Sequence, residues 1–111
     1  YLLSFNLKGT EKPLSLRHIL SHTSGLSNNG MNALIESCAP RKALYEHVQS
    51  QPVSAQPGEW FDYHNIMYGL VEDILVAATS QSFQELLQEN LFGPLGMQQA
   101  SAGYQKMIMS K

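Results

Sequence analysis

Residues 57–65, which read PGEWFDYHN, contain two side chains that could take part in covalent catalysis, Tyr63 and Asn65. Free tyrosine titrates near ~10, so it accepts a proton at neutral pH only when donors or cations stabilise the phenolate or the transfer is concerted. The amide of Asn65 could donate to a substrate carbonyl and accept from an ammonium group. Taken alone, these residues favour a structural interpretation, with Tyr63 in the core and Asn65 as a helix N-cap.

Two other groups of residues could carry chemistry, and both favour structural roles. His18 and His22 are four positions apart, which on a helix places both imidazoles on one face, as in zinc sites. No third ligand or intervening glutamate accompanies them, so we favour a hydrogen bond from His22 to a backbone group near the helix end. Cys38 has His47 as its nearest imidazole in sequence and no evident oriented base, so it is interpreted as a small, buried or half-exposed apolar side chain. We expect no metal and no organic cofactor.

The strongest helical signal directly follows the Tyr-x-Asn segment. Apolar residues recur with a period of 3.6 over residues 66–78, which predicts a core helix. Leu70 and Ile74 should point inward and Glu72 outward. The Pro57-Gly58 pair predicts a tight turn that delivers Tyr63 to the start of this helix.

Three further helices and two irregular segments are expected around it. The helices run from an N-cap at Ser15 to a left-handed stop at Gly25, from Pro40 to Pro52, and from a capping box at Ser82 and Glu85 to Gly93-Pro94. Residues 1–12 lack a clear period and residues 27–30 are typical of a polar loop. Residues beyond Gln98 have a weak pattern. The chain is therefore predicted to be mainly α.

The composition narrows the possible classes of protein. The chain has 111 residues, 43% of them hydrophobic, which suits a packed core rather than disorder. Seven basic and nine acidic residues give a net charge of −2, and they are scattered, so the basic stripe of a nucleic-acid surface is absent. A single cysteine cannot form an intrachain disulfide. No stretch approaches the ~20 apolar residues of a membrane-spanning helix.

Four blocks, in order along the chain, resemble the serine β-lactamase-like family, which groups class C β-lactamases, D-Ala-D-Ala peptidases and related esterases. They are residues 14–26 (LSLRHILSHTSGL), residues 57–65 with their Pro-Gly turn and Tyr-x-Asn motif, residues 68–70 (YGL), and residues 82–97 (SFQELLQENLFGPLGM). A Tyr-x-Asn motif by itself would mean little, but four ordered blocks are specific.

The resemblance implies an α+β fold of which this chain is a helical part, and acyl transfer to a serine. It further implies that Tyr63 transfers protons and that Asn65 orients the substrate and a catalytic lysine. No serine here has a lysine three residues later, and no Lys-Thr-Gly or His-x-Gly strand motif is recognised. We therefore expect residues 1–111 to be the central helical segment of a larger serine hydrolase domain, inactive alone. The intact enzyme would act on a lactam, ester or peptide carbonyl, in the periplasm or outside the cell by family analogy.

Three positions depart from the family pattern: Ser27, Ser80 and His64, which occupies the variable middle of Tyr-x-Asn and could perturb Tyr63. A rival hypothesis is a non-catalytic helical module, related to the family, that binds a ligand or a partner. The full coding sequence would discriminate the two, by showing whether Ser-x-x-Lys precedes Tyr1.

Overall fold

The computed structural model describes residues 7–28 and 31–109, without the side chain of Met31. The helices are α1 (Leu16–Leu20), α2 (Met31–Glu36), α3 (Arg41–Ser50), α4 (Asn65–Thr79), α5 (Phe83–Leu87) and α6 (Tyr104–Met109), with a π-helix at Gln88–Phe92 after α5. Within the described residues there is no strand, and one isolated parallel bridge joins Lys8 to Pro52. The prediction of a mainly α chain is confirmed. Residues 1–6 and 29–30, parts of the predicted irregular segments, lie outside the described residues.

The chain divides into two compact units, the first ending at Ile74 and the second beginning at Leu75. The first unit holds the hydrophobic core. Its buried members are Leu7, Ile19, Leu26, Val48, Ile66, Met67 and Leu70. Each apolar side chain of this size stabilises the fold by roughly 1.5–3 kcal/mol when fully buried.

The N-terminal half of α4 is the main contributor to this core, as its apolar period predicts. It supplies Ile66, Met67 and Leu70, and Ile74 packs partly buried against them. Glu72 is only partly exposed, because it forms an ion pair. The predicted apolar stripe does not stay buried to its end, since Ala78 is exposed.

α1 begins as predicted but ends differently. Its capping box joins Ser15 and His18: the Ser15 hydroxyl accepts from the His18 N–H, and Nδ1 of His18 accepts from the Ser15 N–H. The predicted left-handed stop at Gly25 is wrong. His22 takes that conformation, with φ 56°, and its N–H donates to Ile19 while the Thr23 N–H donates to the His18 carbonyl. These two bonds form a Schellman motif.

α3 lies where it is predicted, with Pro40 just before its first residue, and Arg41 joins it to α4. The Arg41 guanidinium donates to Tyr45 Oη at 2.7 Å and to the Gly69 carbonyl at 2.9 Å. It also pairs with Glu72 at 2.9 Å and Asp73 at 3.1 Å. Burial and a hydrogen bond to Asp73 raise the pKa of Tyr45 to about 12, so the phenol stays protonated and donates to that carboxylate.

The second unit contains the predicted capping box, in which Ser82 and Glu85 exchange hydrogen bonds between side chain and backbone. The helical run ends before Gly93-Pro94 as predicted, since it continues as a π-helix to Phe92 and Gly93 is its C-cap. The Gly93 N–H donates to the Gln88 carbonyl at 2.8 Å, which is the wider bond of a π-helix. Gly96 then takes the left-handed conformation with φ 65°.

Sequence patterns did not indicate α2 or α6. Both are six residues long, and α6 has exposed side chains throughout its described length. Across residues 7–28 and 31–109, none of the helices has both the length and the apolar character needed to cross a bilayer.

Candidate active site

The Pro-Gly turn at residues 56–59 forms as predicted. Pro57 is buried, Gly58 has φ 91°, and the Glu59 N–H donates to the Gln56 carbonyl at 3.1 Å. A positive φ at the third position makes this a type II turn, which favours glycine there. Lys12 pairs with Glu59 at 2.7 Å, and this hydrogen bond lowers the pKa of the Glu59 carboxyl.

The turn and the residues on both sides of it, 54–62, are held against residues 22–25 by the main chain. Four backbone hydrogen bonds join the two segments, from Asp62 N to His22 O at 2.9 Å, from Gly58 N to Thr23 O at 2.8 Å, and from Ser54 N and Ala55 N to Gly25 O at 2.8 and 3.3 Å. The segment leading to Tyr63 is therefore positioned by backbone bonds rather than by a sheet.

Tyr63 belongs to a cluster of four rings centred on His22, which we call the His22 cluster: His22, Phe61, Tyr63 and Tyr68. The His22 ring lies 4.4 Å from that of Tyr63 and 5.2 Å from that of Tyr68, centroid to centroid, and it stacks on Tyr68 with an interplanar angle of 19°. Phe61 meets it edge-on at 6.1 Å. The three partner rings are all substantially exposed, so the cluster is a surface feature rather than part of the core.

His22 also receives a hydrogen bond from the Tyr-x-Asn motif. The backbone N–H of His64 donates to Nδ1 of His22 at 3.2 Å, across 42 positions of sequence. Because Nδ1 accepts, a neutral His22 carries its proton on Nε2. A backbone hydrogen bond was expected for His22, but near the end of its own helix; the donor instead precedes the first residue of α4.

His64 lies inside the protein, although it occupies the middle of the motif. Its side chain is fully buried, and its Nδ1 accepts from the Met67 N–H at 3.3 Å, so it caps the N-terminus of α4. Burial lowers the pKa of His64, and His22 adds to the lowering, while the nearby Asp62 carboxylate opposes it. Within the described residues, the ring beside Tyr63 is that of His22, not of His64.

Tyr63 and Asn65 both lie on the surface on either side of the buried His64. The Tyr63 side chain is 56% exposed, which contradicts the alternative of a core tyrosine. Asn65 is exposed and is the first residue of α4, and the cap that was considered for it is supplied by His64. Burial in the core therefore does not account for Tyr63, and helix capping does not account for Asn65.

One further polar contact escaped the sequence analysis. The Asp62 carboxylate accepts from the Asn28 N–H at 3.2 Å, which ties the loop after the HTSGL block to the same segment. No local spacing signals this bond, because its partners are 34 positions apart.

The two histidines and the cysteine that were considered as a metal site and a nucleophile take part in other contacts or lie exposed. His18 and His22 each accept a backbone hydrogen bond at Nδ1, His18 from Ser15 and His22 from His64. In the part of the chain that is described, no group of three His, Cys, Asp or Glu side chains could hold a metal ion. Cys38 follows α2 in a left-handed conformation and is exposed, rather than buried or half-exposed as expected.

Curated relatives of the chain are peptidases by name. The chain is 32% identical over 90 residues to a D-aminopeptidase of Gluconobacter oxydans, an alignment that covers 75% of this chain and 17% of that protein. It is 25% identical over 89 residues to the D-alanyl-D-alanine-carboxypeptidase/endopeptidase AmpH of Escherichia coli K12, covering 77% of this chain and 23% of AmpH. The chain thus spans about a fifth of the length of these relatives.

A family model described as Beta-lactamase matches residues 2–106, which include all four sequence blocks and the whole His22 cluster. This match extends over nearly all of the chain, and it agrees with the helical structure and with the named relatives. The chain therefore belongs to the beta-lactamase family, and it contains a helical part of that fold.

Proposed function

We propose that this chain supplies the tyrosine and asparagine of a serine hydrolase active site. Tyr63 transfers protons, and Asn65 orients the substrate and a catalytic lysine. The observation that carries the proposal is the exposure of both side chains on either side of a buried histidine. A structural tyrosine would gain more stability by burying its ring.

In the proposed reaction a serine outside these residues attacks a carbonyl carbon. As the Oγ–C bond forms, the serine proton passes through Tyr63 Oη to the leaving nitrogen, and the C–N bond breaks. Water then attacks the acyl-enzyme, its proton returns through the same groups, and the serine is released. The Asn65 side chain would hold the substrate amide by donating from its NH₂ group and accepting at its carbonyl oxygen.

We infer that the substrate is a peptide with a D-residue next to the bond that is cleaved. This inference is supported by the names of both relatives, a D-aminopeptidase and a D-alanyl-D-alanine-carboxypeptidase/endopeptidase. Lactams and esters remain the alternative substrates, since both also present a carbonyl to the serine, and the assay below compares a lactam with the peptides.

The test is Tyr63→Phe in the full-length gene product, assayed on D-alanine p-nitroanilide, a D-Ala-D-Ala peptide and nitrocefin. Removing the hydroxyl should lower kcat by about 10²–10⁴-fold, the range of a positioned acid or base, on whichever substrate is turned over. Tyr104→Phe is the matched control, because Tyr104 is 69% exposed and lies in the second unit. It should retain the wild-type rate.

Thermal melting must accompany the rates, because a misfolded variant would also be slow. A well-folded Tyr63→Phe protein with wild-type turnover would overturn the assignment of Tyr63. A full-length protein with no turnover of any of the three substrates, and no covalent adduct with a fluorescent penicillin by mass spectrometry, would favour a binding module instead.

A further inference from the structure

The two peptide N–H groups on either side of Tyr63 both donate to one residue, His22. The Asp62 N–H donates to the His22 carbonyl at 2.9 Å, and the His64 N–H donates to its imidazole Nδ1 at 3.2 Å. A residue held by the main chain on both sides has little freedom in φ and ψ, so its Cα–Cβ direction is fixed.

The same residue also contacts the Tyr63 side chain. The two rings are 4.4 Å apart between centroids, tilted by 38°, and His22 stacks on Tyr68. Tyr63 is more than half exposed, and the buried face of its ring meets the imidazole of His22. The imidazole therefore limits the rotamers of an otherwise open side chain.

His22 is itself held firmly in place. It is the left-handed residue of the Schellman motif that ends α1, and its own N–H donates to the Ile19 carbonyl at 3.2 Å. Ile19 is a buried core residue, so this end of α1 is anchored in the hydrophobic core. Core, helix end and tyrosine are thus linked through one residue.

We propose that His22 is a positioning residue for Tyr63, which fixes the place of the phenol hydroxyl through two backbone hydrogen bonds and one ring contact. This inference rests on the proposed function, because it assigns His22 a role only through Tyr63. His22 needs no contact with the substrate in this role. Proton transfer depends steeply on geometry, and a misplacement of about 1 Å can cost about 10²-fold in rate.

The test compares His22→Ala with His22→Asn in the full-length gene product. Alanine removes both the acceptor and the ring. Asparagine retains an acceptor near the position of Nδ1 and tolerates the left-handed conformation that His22 adopts, with φ 56°. We expect His22→Ala to lower kcat by about 10–10²-fold with KM within about threefold of wild type, and His22→Asn to recover most of kcat. His47→Ala, on α3 outside the cluster, is the control and should match wild type.

A double variant separates positioning from a general loss of structure. If His22 acts through Tyr63, then Tyr63→Phe with His22→Ala should be no slower than Tyr63→Phe alone, after correction for the folded fraction. Rate losses that multiply, an unchanged kcat in His22→Ala, or equal impairment of the alanine and asparagine variants would each overturn the proposal. If Tyr63→Phe is fully active, the proposed function fails and this inference fails with it; if Tyr63→Phe is slow while His22→Ala is not, this inference alone fails.

Discussion

Gly25 lies directly against the main chain of Ala55, so that a Cβ built on Gly25 would overlap the Ala55 carbonyl oxygen. The contact coincides with a hydrogen bond, since the Gly25 carbonyl accepts from the Ala55 N–H at 3.3 Å. Gly25 has φ +90°, a conformation that L-residues seldom adopt. Any side chain at this position would therefore meet both backbone strain and a steric clash.

Replacing Gly25 with alanine should consequently destabilise the protein by more than about 2 kcal/mol, the sum of strain and displacement of the Ala55 backbone. Gly9→Ala is the matched control, because Gly9 has φ +89° but its added Cβ would meet only Val53 at an ordinary 3.6 Å. The control should cost only the strain, about 1–2 kcal/mol. Urea unfolding measures both losses, and equal losses would show that the approach to Ala55 carries no penalty.

Truncating Leu70 should destabilise the protein by about 2–5 kcal/mol, because alanine removes buried methyl groups and leaves a cavity. Leu70 is 2% exposed and lies within the core. Val76→Ala, on the same helix but 40% exposed, should change the free energy of unfolding by no more than about 0.5 kcal/mol. A loss at Leu70 similar to that at Val76 would contradict the assigned buried face of α4.

Replacing Arg41 with lysine should lower stability by about 0.5–1.5 kcal/mol. A lysine ammonium cannot reach Tyr45, Gly69 and the two carboxylates of α4 with the fixed geometry of a guanidinium. The gain from these partly exposed pairs is limited by solvent screening. Lys42→Ala is the control, since its ion pair with Glu46 is long, 3.8 Å, and largely exposed. If both variants have the same urea midpoint, Arg41 does not join α3 to α4 energetically.

Acidification should destabilise the fold through His64. Its pKa is below 6.5 in the folded protein because of burial, and returns to about 6.5 on unfolding. The unfolded chain therefore binds more protons, so the stability contribution is fully present above about pH 6.5 and is lost as the pH falls through the folded pKa. Melting temperatures should decline as the pH is lowered below about 6.5.

His64→Asn tests this origin, because asparagine keeps an acceptor for the α4 N-terminus and does not titrate. Its melting temperature should depend less on pH than that of the wild type, whatever its absolute value. Asp62 and His22, which face His64, are present in both proteins and do not explain a difference in slope. Parallel curves would exclude His64 as the source.

Local signals predicted the parts of the fold that depend on neighbouring residues. The N-cap at Ser15, the capping box at Ser82 and the turn at Pro57-Gly58 formed as expected, since each satisfies its hydrogen bonds within a few positions. The period of 3.6 located α4 and its buried Leu70. Such features need only the residue types and their spacing.

Predictions failed where a residue serves a distant partner. Glycine rules placed the left-handed stop of α1 at Gly25, but the positive φ of Gly25 serves its approach to Ala55, and His22 ends the helix. Tyr63 and Asn65 were found through the motif and a family resemblance. The hydrogen bond from the His64 N–H to the His22 imidazole joins residues 42 positions apart, and local sequence patterns do not indicate such a contact. The buried position of His64 was missed for the same reason.

His22 both ends α1 and contacts Tyr63. The number of residues from Ser15 to Thr23 therefore cannot change without displacing the His22 imidazole from Tyr63. One residue inserted into α1 would rotate its end by about 100° around the helix axis and carry the imidazole away from the phenol. Insertions should be tolerated far better after α2, where residues 37–38 are exposed. Efforts to graft or shorten this region should therefore vary the chain there and keep residues 15–23 at their present length.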